Sequence, residues 1–488
     1  MKQDQQTAAP IARNAFKTLL ISVLALVCLS ANALAVGAGG EADAAQYLSE
    51  DGWQITPELV ADSKEAAAEN TRVLQEATDK ASEQKGTVIL PKGTFYFASA
   101  GRDCLYSGGR KLLHTIGEHV ILCRNDVTYV GRGTETVLKP IGVTQGGLDM
   151  FYFNDFLDSG HETQEYLENN HFRNFVVDSD ETWCLTYTSA GKAFMLNLCK
   201  NCTWEKVSVY NTDGTGFGMD CTVDCWINDC YAWNCGKSCT ETGPGGSGFG
   251  IGYGYANEES MVITNCVSRC NKKFGYFFEN QARFNPLYLA TTHGEFAARD
   301  CVSQGNLGDY GGLMSTGVLY ENCQSLGARK YAFYFGVSSH DVEVKNCSAT
   351  VQYYDIAEDS PYYDALRWAV SNAVTLGRDD GTFGAEEACT RGQLLTFLWR
   401  MAGMPLTDAP LSYADVSGDS FYAPAVRWAL SRGMIGASMN FGPERTVTAG
   451  ELDKWTSSLR PAFSSGLSGE ITRGDVMNAL FRFAQANE

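Results

Sequence analysis

The sequence predicts a mainly β chain, a parallel β-helix (solenoid), followed by a small α-helical domain. Three observations predict it. First, alternating apolar residues leading to Asn or Asp and then Cys recur as "CWINDCYA" (Cys225 to Ala232), "MVITNCVS" (Met261 to Ser268), "FAARDCVS" (Phe296 to Ser303), "VLYENCQS" (Val318 to Ser325) and "VEVKNCSA" (Val342 to Ala349). Second, the anchors Asp229, Asn265, Asp300, Asn322 and Asn346 lie 22 to 36 residues apart, a recurrence that marks a solenoid. Third, after Tyr353 the period-two alternation gives way to helical spacing.

The elements follow in chain order. Lys2, Arg13 and Lys17 precede the apolar run "LLISVLALVCL" (Leu19 to Leu29), which leads into "ANALA" (Ala31 to Ala35). That order predicts a secretory signal over residues 1–35, with an apolar run too short to span a bilayer. The solenoid is expected over 36–352. Its start, "NTRVLQEATDKASEQKGTVILPKGTFYF" (Asn70 to Phe97), reads as an amphipathic helix, a strand, a turn and a second strand. Gly131 and Asn174 extend the anchor series upstream, and Lys206 is an imperfect member. Asn, Asp and Gly suit a bend with left-handed backbone angles. A further strand column follows in "GFGMD" (Gly216 to Asp220), "GFGIGY" (Gly248 to Tyr253), "GYFFEN" (Gly275 to Asn280) and "AFYFG" (Ala332 to Gly336). Strand, bend, strand, loop and strand make one coil. Coils stack ~4.8 Å apart, whereas disulfide Cβ atoms need ~3.8 Å. Cys230, Cys266, Cys301, Cys323 and Cys347 are therefore expected as small buried thiols.

With these residues the chain resembles the pectin-lyase-like family of right-handed parallel β-helices, from about Asp51 to Thr350. The helix-and-strand opening is similar to that family's N-terminal cap. The resemblance implies a fold rather than one activity, because the family holds lyases, hydrolases, epimerases, tailspikes and adhesins.

Beyond it, "YYDIAEDSPYYDALRWAV" (Tyr353 to Val370) recurs as "YADVSGDSFYAPAVRWAL" (Tyr413 to Leu430). Each copy is followed by a Phe-containing turn and a second helix, and "GEITRGDVMNALFRF" (Gly469 to Phe483) is a half-copy. These segments resemble S-layer homology repeats over 353–404, 411–460 and, in part, 468–488. The resemblance implies non-covalent binding to a cell-wall polymer. Arg391 and Arg473, at helix starts, would meet its acidic groups, and Trp368 would be a groove wall. The second copy has Ala449 where that Arg should stand.

The formal charge of −19 argues against nucleic acid or anionic lipid as partners. Loop insertions near 132–170, 175–200, 236–260 and 272–295 are where a site is expected. The third strand column places Asp220, Gly252, Glu279 and Ser315 at one lateral position. Asp220 and Glu279 would then lie two coils apart, ~9.6 Å, near the upper end of the ~6.5–9.5 Å of an inverting carboxylate pair. They are the catalytic candidates, with Asp213, His293 and Glu295 as binding candidates. A lyase would instead use Lys273 or Arg283 as base, with Ca²⁺ holding a uronate; no carboxylate cluster marks a metal site. The expectation is an exported cell-surface protein that cleaves a polysaccharide, hydrolysis ahead of lyase chemistry. The rival expectation is a non-catalytic adhesin that binds glycan along the same column.

Overall fold

The computed structural model describes residues 52–485, apart from 103–105, 108–109, 112–116, 155–164, 188, 283–291, 337, 351–352, 379, 408 and 462. The expected secretory signal lies outside the described residues. In each regular coil, two short strands flanking the anchor join a seventeen-stranded sheet, and a third joins a ten-stranded sheet. Pairing from coil to coil is parallel and in register: Val262 pairs with Ala297 and Ala297 with Leu319. The exception in the ten-stranded sheet is its edge, where Gly101–Arg102 runs antiparallel. The solenoid is a parallel β-helix.

The anchors make the bends. Asn174, Lys206, Asp229, Asn265, Asp300, Asn322 and Asn346 all have φ between 51° and 62°. Two of them also form a rung along the outside, where Asn322 Nδ2 donates to Asp300 Oδ1 (3.1 Å). Lys206 takes the same angle without the usual side chain, so the imperfect member is a true bend. Gly131 differs. It has no left-handed φ, and a Cβ there would lie 2.6 Å from the Asn174 carbonyl oxygen, so glycine is set by space.

One residue past the bends at Asp229, Asn265, Asp300, Asn322 and Asn346, a cysteine thiol takes up backbone hydrogen bonds beside the bend. Cys230 Sγ donates to Asn228 O (3.3 Å) and accepts from the Val207 N–H (3.4 Å). Cys266 Sγ donates to Thr264 O (3.1 Å) and accepts from the Cys230 N–H (3.3 Å). Among the described residues all fifteen cysteines are free thiols. Inside the coils an aromatic column runs through Phe151, Phe194, Phe217, Phe249, Tyr276, Tyr310 and Phe333, with successive ring centroids 4.7–5.3 Å apart. Exact register stacks like side chain on like, and the buried rings form the centre of the core.

Helix α1 (Ala67–Gln84) packs Leu74, Ala77 and Ala81 against the first coils. Gln75 of α1 exchanges two hydrogen bonds with the backbone of Leu122 (2.8 and 3.0 Å), as a strand residue would. At the other end strands stop at Ala349 and five helices follow: α2 (Tyr363–Ser371), α3 (Arg391–Met401), α4 (Ala423–Ser431), α5 (Ala449–Leu459) and α6 (Arg473–Gln485). Capping boxes open α3, from Thr390 with Gln393, and α5, from Thr448 with Glu451. The helices are bonded to the last coils. The Ala349 N–H donates to Ser371 Oγ (2.9 Å), and the Asp341 N–H donates to Met404 O (2.9 Å). No helix among the described residues is long and apolar enough to cross a membrane.

Candidate functional site

The ten-stranded sheet carries a strip of outward side chains. On the strand Phe217–Val223, Phe217 and Met219 point into the core, so Asp220 points out. On Phe274–Asn280, Tyr276 and Phe278 point in, leaving Phe277 and Glu279 outward and half-buried. Asp220 pairs with Gly252, and Gly252 pairs with Glu279. The fourth member of the column is Leu313, not Ser315. Met314, at φ 51°, turns the chain after Leu313, and the buried Ser315 hydroxyl donates to Phe278 O (2.8 Å).

Gly252 makes room for the Asp220 carboxylate. A Cβ there would lie 2.1 Å from Asp220 Oδ1 and 2.3 Å from Gln281 Nε2. The Asp220 carboxylate therefore leans across the missing side chain toward Glu279, shortening the two-strand gap of ~9.6 Å that the backbone alone sets. Gln281 Nε2 donates to Asp220 Oδ1 (3.2 Å) and fixes the lean. Burial, and then the nearby Asp220 charge, push the Glu279 carboxyl up to about 7, with Lys273 opposing. Burial lowers the Lys273 pKa, and its ammonium donates to Gly243 O on the neighbouring insertion. Beside the acids, Phe277 stacks on Phe274 (4.8 Å), Phe274 lies 5.8 Å from Tyr334, and Tyr334 lies 5.0 Å from Tyr331. Chemically the strip offers two acidic side chains on strands either side of Gly252, one of them with a raised pKa, together with aromatic rings.

The other candidates are placed elsewhere. Asp213 is fully buried; its carboxylate accepts from Thr182 Oγ1 (2.7 Å) and Ser238 Oγ (2.5 Å) and lies 4.0 Å from Lys237 Nζ. It ties the insertion containing Ser238 to the coil. Both ring nitrogens of His293 face carbonyl oxygens, of Gly294 and Thr316 (2.6 Å each). Glu295 is ion-paired with Arg299. Arg283 lies outside the described residues. Among the described residues no three His, Cys, Asp or Glu side chains are grouped so as to hold a metal ion. Gln281 and the Phe274–Tyr334 cluster were not anticipated from sequence; the Gln two residues after Glu279 was the one available signal for the first.

In the helical segment, Arg473 is 4% exposed, stacks on Phe383 (4.5 Å) and donates from Nε to Phe383 O (2.9 Å). Arg391 lies over Phe441 (4.4 Å), donates to Phe441 O, and sits 3.1 Å from the Glu451 carboxylate. Both guanidiniums thus clamp a Phe-bearing turn to a helix start. Trp368 is half-buried against Phe481 (5.7 Å).

Residues 352–395 match the S-layer homology domain. The chain therefore carries a cell-surface module. A "Cell surface protein" of Thermoanaerobacter kivui is 31% identical over 116 residues, which is 24% of this chain and 14% of that protein. The chain thus spans only a small part of that relative's length. Among solved structures, the A-module of the Azotobacter vinelandii mannuronan C-5 epimerase AlgE4 is 18% identical, with TM-score 0.38, over 60% of this chain and 87% of that one. A tailspike double mutant of E. coli bacteriophage HK620, in complex with a pentasaccharide, is 16% identical, with TM-score 0.36, over 59% of this chain and 47% of that one. No activity passes from either to this chain.

Proposed function

We propose that the chain is an exported surface protein whose β-helix binds and cleaves a polysaccharide by hydrolysis, held to a cell-wall polymer by its S-layer homology segment. The observation that carries this reading is that Asp220 leans over Gly252, the register partner of Glu279, with Glu279 pushed up to about 7. Such a carboxyl keeps its proton near neutral pH and can give it to a glycosidic oxygen as the C–O bond breaks. Asp220, held by Gln281, takes a proton from the water whose oxygen bonds to the sugar carbon as that C–O bond breaks. Lys273 is turned to the Gly243 carbonyl, which favours hydrolysis over proton abstraction by that amine.

The test is retention and turnover by the full chain carrying Asp220→Asn. Loss of product with retained glycan binding supports the reading, whereas unchanged product sinks it. A second reading, a glycan-binding adhesin, is favoured by the half-buried rings of Phe277, Tyr331 and Tyr334, packed around the buried Phe274, since aromatic faces suit sugar stacking without chemistry. It predicts retention on a glycan and no product from any.

At the wall, the reading uses Arg391 and Trp368 as polymer contacts, because both keep exposed surface. Arg473 contributes by holding the Phe383 turn in place.

A further inference from the structure

Away from the strip, cations from separate coils meet at one corner of the solenoid. An open cleft of ≈ 280 Å³ is lined there by Asn234, Lys237, Cys270, Asn271, Lys272 and Arg329. This is unusual ground for a chain whose formal charge is −19. The arrangement is built rather than accidental. Arg329 Nη2 donates to the main-chain oxygens of Lys272 (2.8 Å) and Asn271 (3.2 Å), which holds its guanidinium beside Lys272. Its Nη1 lies 3.6 Å from Glu241 at the rim. Lys237 is neutralised from the inner side, by Asp213 at 4.0 Å, and donates to Thr182 Oγ1 (3.2 Å). Lys272 has no acidic partner among the described residues. A held guanidinium and a lysine thus line one cleft with one carboxylate, Glu241, beside Arg329, an arrangement that an incoming anion relieves.

We propose that this corner is a second binding site, for the carboxylate groups of an acidic polysaccharide. A planar guanidinium held in place matches a carboxylate edge-on, and Lys272 adds a mobile point charge. Arg329 reaches back from two coils beyond Lys272, so the two cations converge on one cleft. The site stands whether or not the Asp220–Glu279 strip cleaves anything.

Isothermal titration calorimetry on the full chain carrying Glu279→Gln tests it, with a hexameric oligogalacturonate, a neutral hexasaccharide and inorganic sulfate as probes. The oligogalacturonate is expected to bind, more weakly as NaCl is added. Its affinity should fall at least tenfold in Lys272→Glu and several-fold in Arg329→Gln, while any binding of the neutral sugar stays the same. Lys272→Gln provides the milder variant should charge reversal disturb folding, with a several-fold loss expected. Equal oligogalacturonate affinity in the folded Lys272 variants overturns the proposal, as does absence of binding. Sulfate binding without oligogalacturonate binding also overturns it, and would leave a free-anion pocket only.

Discussion

At Glu279 burial and the Asp220 charge act in the same direction, and the consequence is a proton held to about 7. If that proton is the one delivered to the leaving oxygen, kcat/KM should fall as pH rises through about 7, and Glu279→Gln should lose at least a hundredfold in turnover while glycan binding persists. A pH–rate profile of both proteins checks this. The same shift has a stability consequence. A folded-state pKa above the ordinary carboxylate value of ~4.3 means that the native state holds the proton more tightly. Its stabilising contribution is complete below ~4.3 and is lost as pH rises through the folded value. Glu259, also near 7, and Asp309, near 6, act the same way, with burial as the main cause in each. Thermal unfolding should therefore move to lower temperature between about pH 5 and pH 8, and Glu279→Gln should flatten part of that slope. Gly252→Ala tests the lean over Gly252: the ends of Asp220 and Gln281 must move aside, so activity should drop with little change in melting. The Asp220–Gly252–Glu279 register was legible because a period-two pattern fixes which side chains share a face. The lean of Asp220 and the inward turn of Arg473 were not, since side-chain direction depends on neighbours from distant coils.

The coil is specified by three columns that the sequence displays unequally. The bends were readable at Asn265 or Asn322, whose residue type announces a left-handed angle, and Lys206 shows that position in the repeat can impose it on a less suitable residue. Asn265→Gly should leave stability within a few tenths of a kcal/mol, whereas a β-branched residue there should cost about 1–2 kcal/mol, measured by denaturant unfolding. The aromatic column was harder to read, because loops of different length separate its members and only register brings them into line. Phe249→Ala, in the middle of that column with rings stacked on both sides, should cost about 3–5 kcal/mol. Phe333→Ala should cost less, since Phe333 has its in-column partner on one side, Tyr310.

Over the whole chain, the helical segment does more than carry an S-layer homology match, since it closes the last coil. Ser371 accepts from the Ala349 N–H and Met404 from the Asp341 N–H. Deleting residues 353–488 uncovers the strand Ser348–Ala349 at the sheet edge, and the truncated protein should self-associate more than the full chain in sedimentation velocity. The change from strand to helix was visible in the switch of apolar period after Tyr353, but these bonds across it were not, because their donors are main-chain groups and a single serine does not announce its partner. The most direct measurement is product release by the full chain from a panel of neutral and acidic polysaccharides, following reducing ends and unsaturated-uronate absorbance together, beside Glu279→Gln. The account predicts reducing ends without that absorbance from at least one glycan, and their loss in the variant. Equal release by the variant, rising uronate absorbance, or no product from any glycan would contradict it.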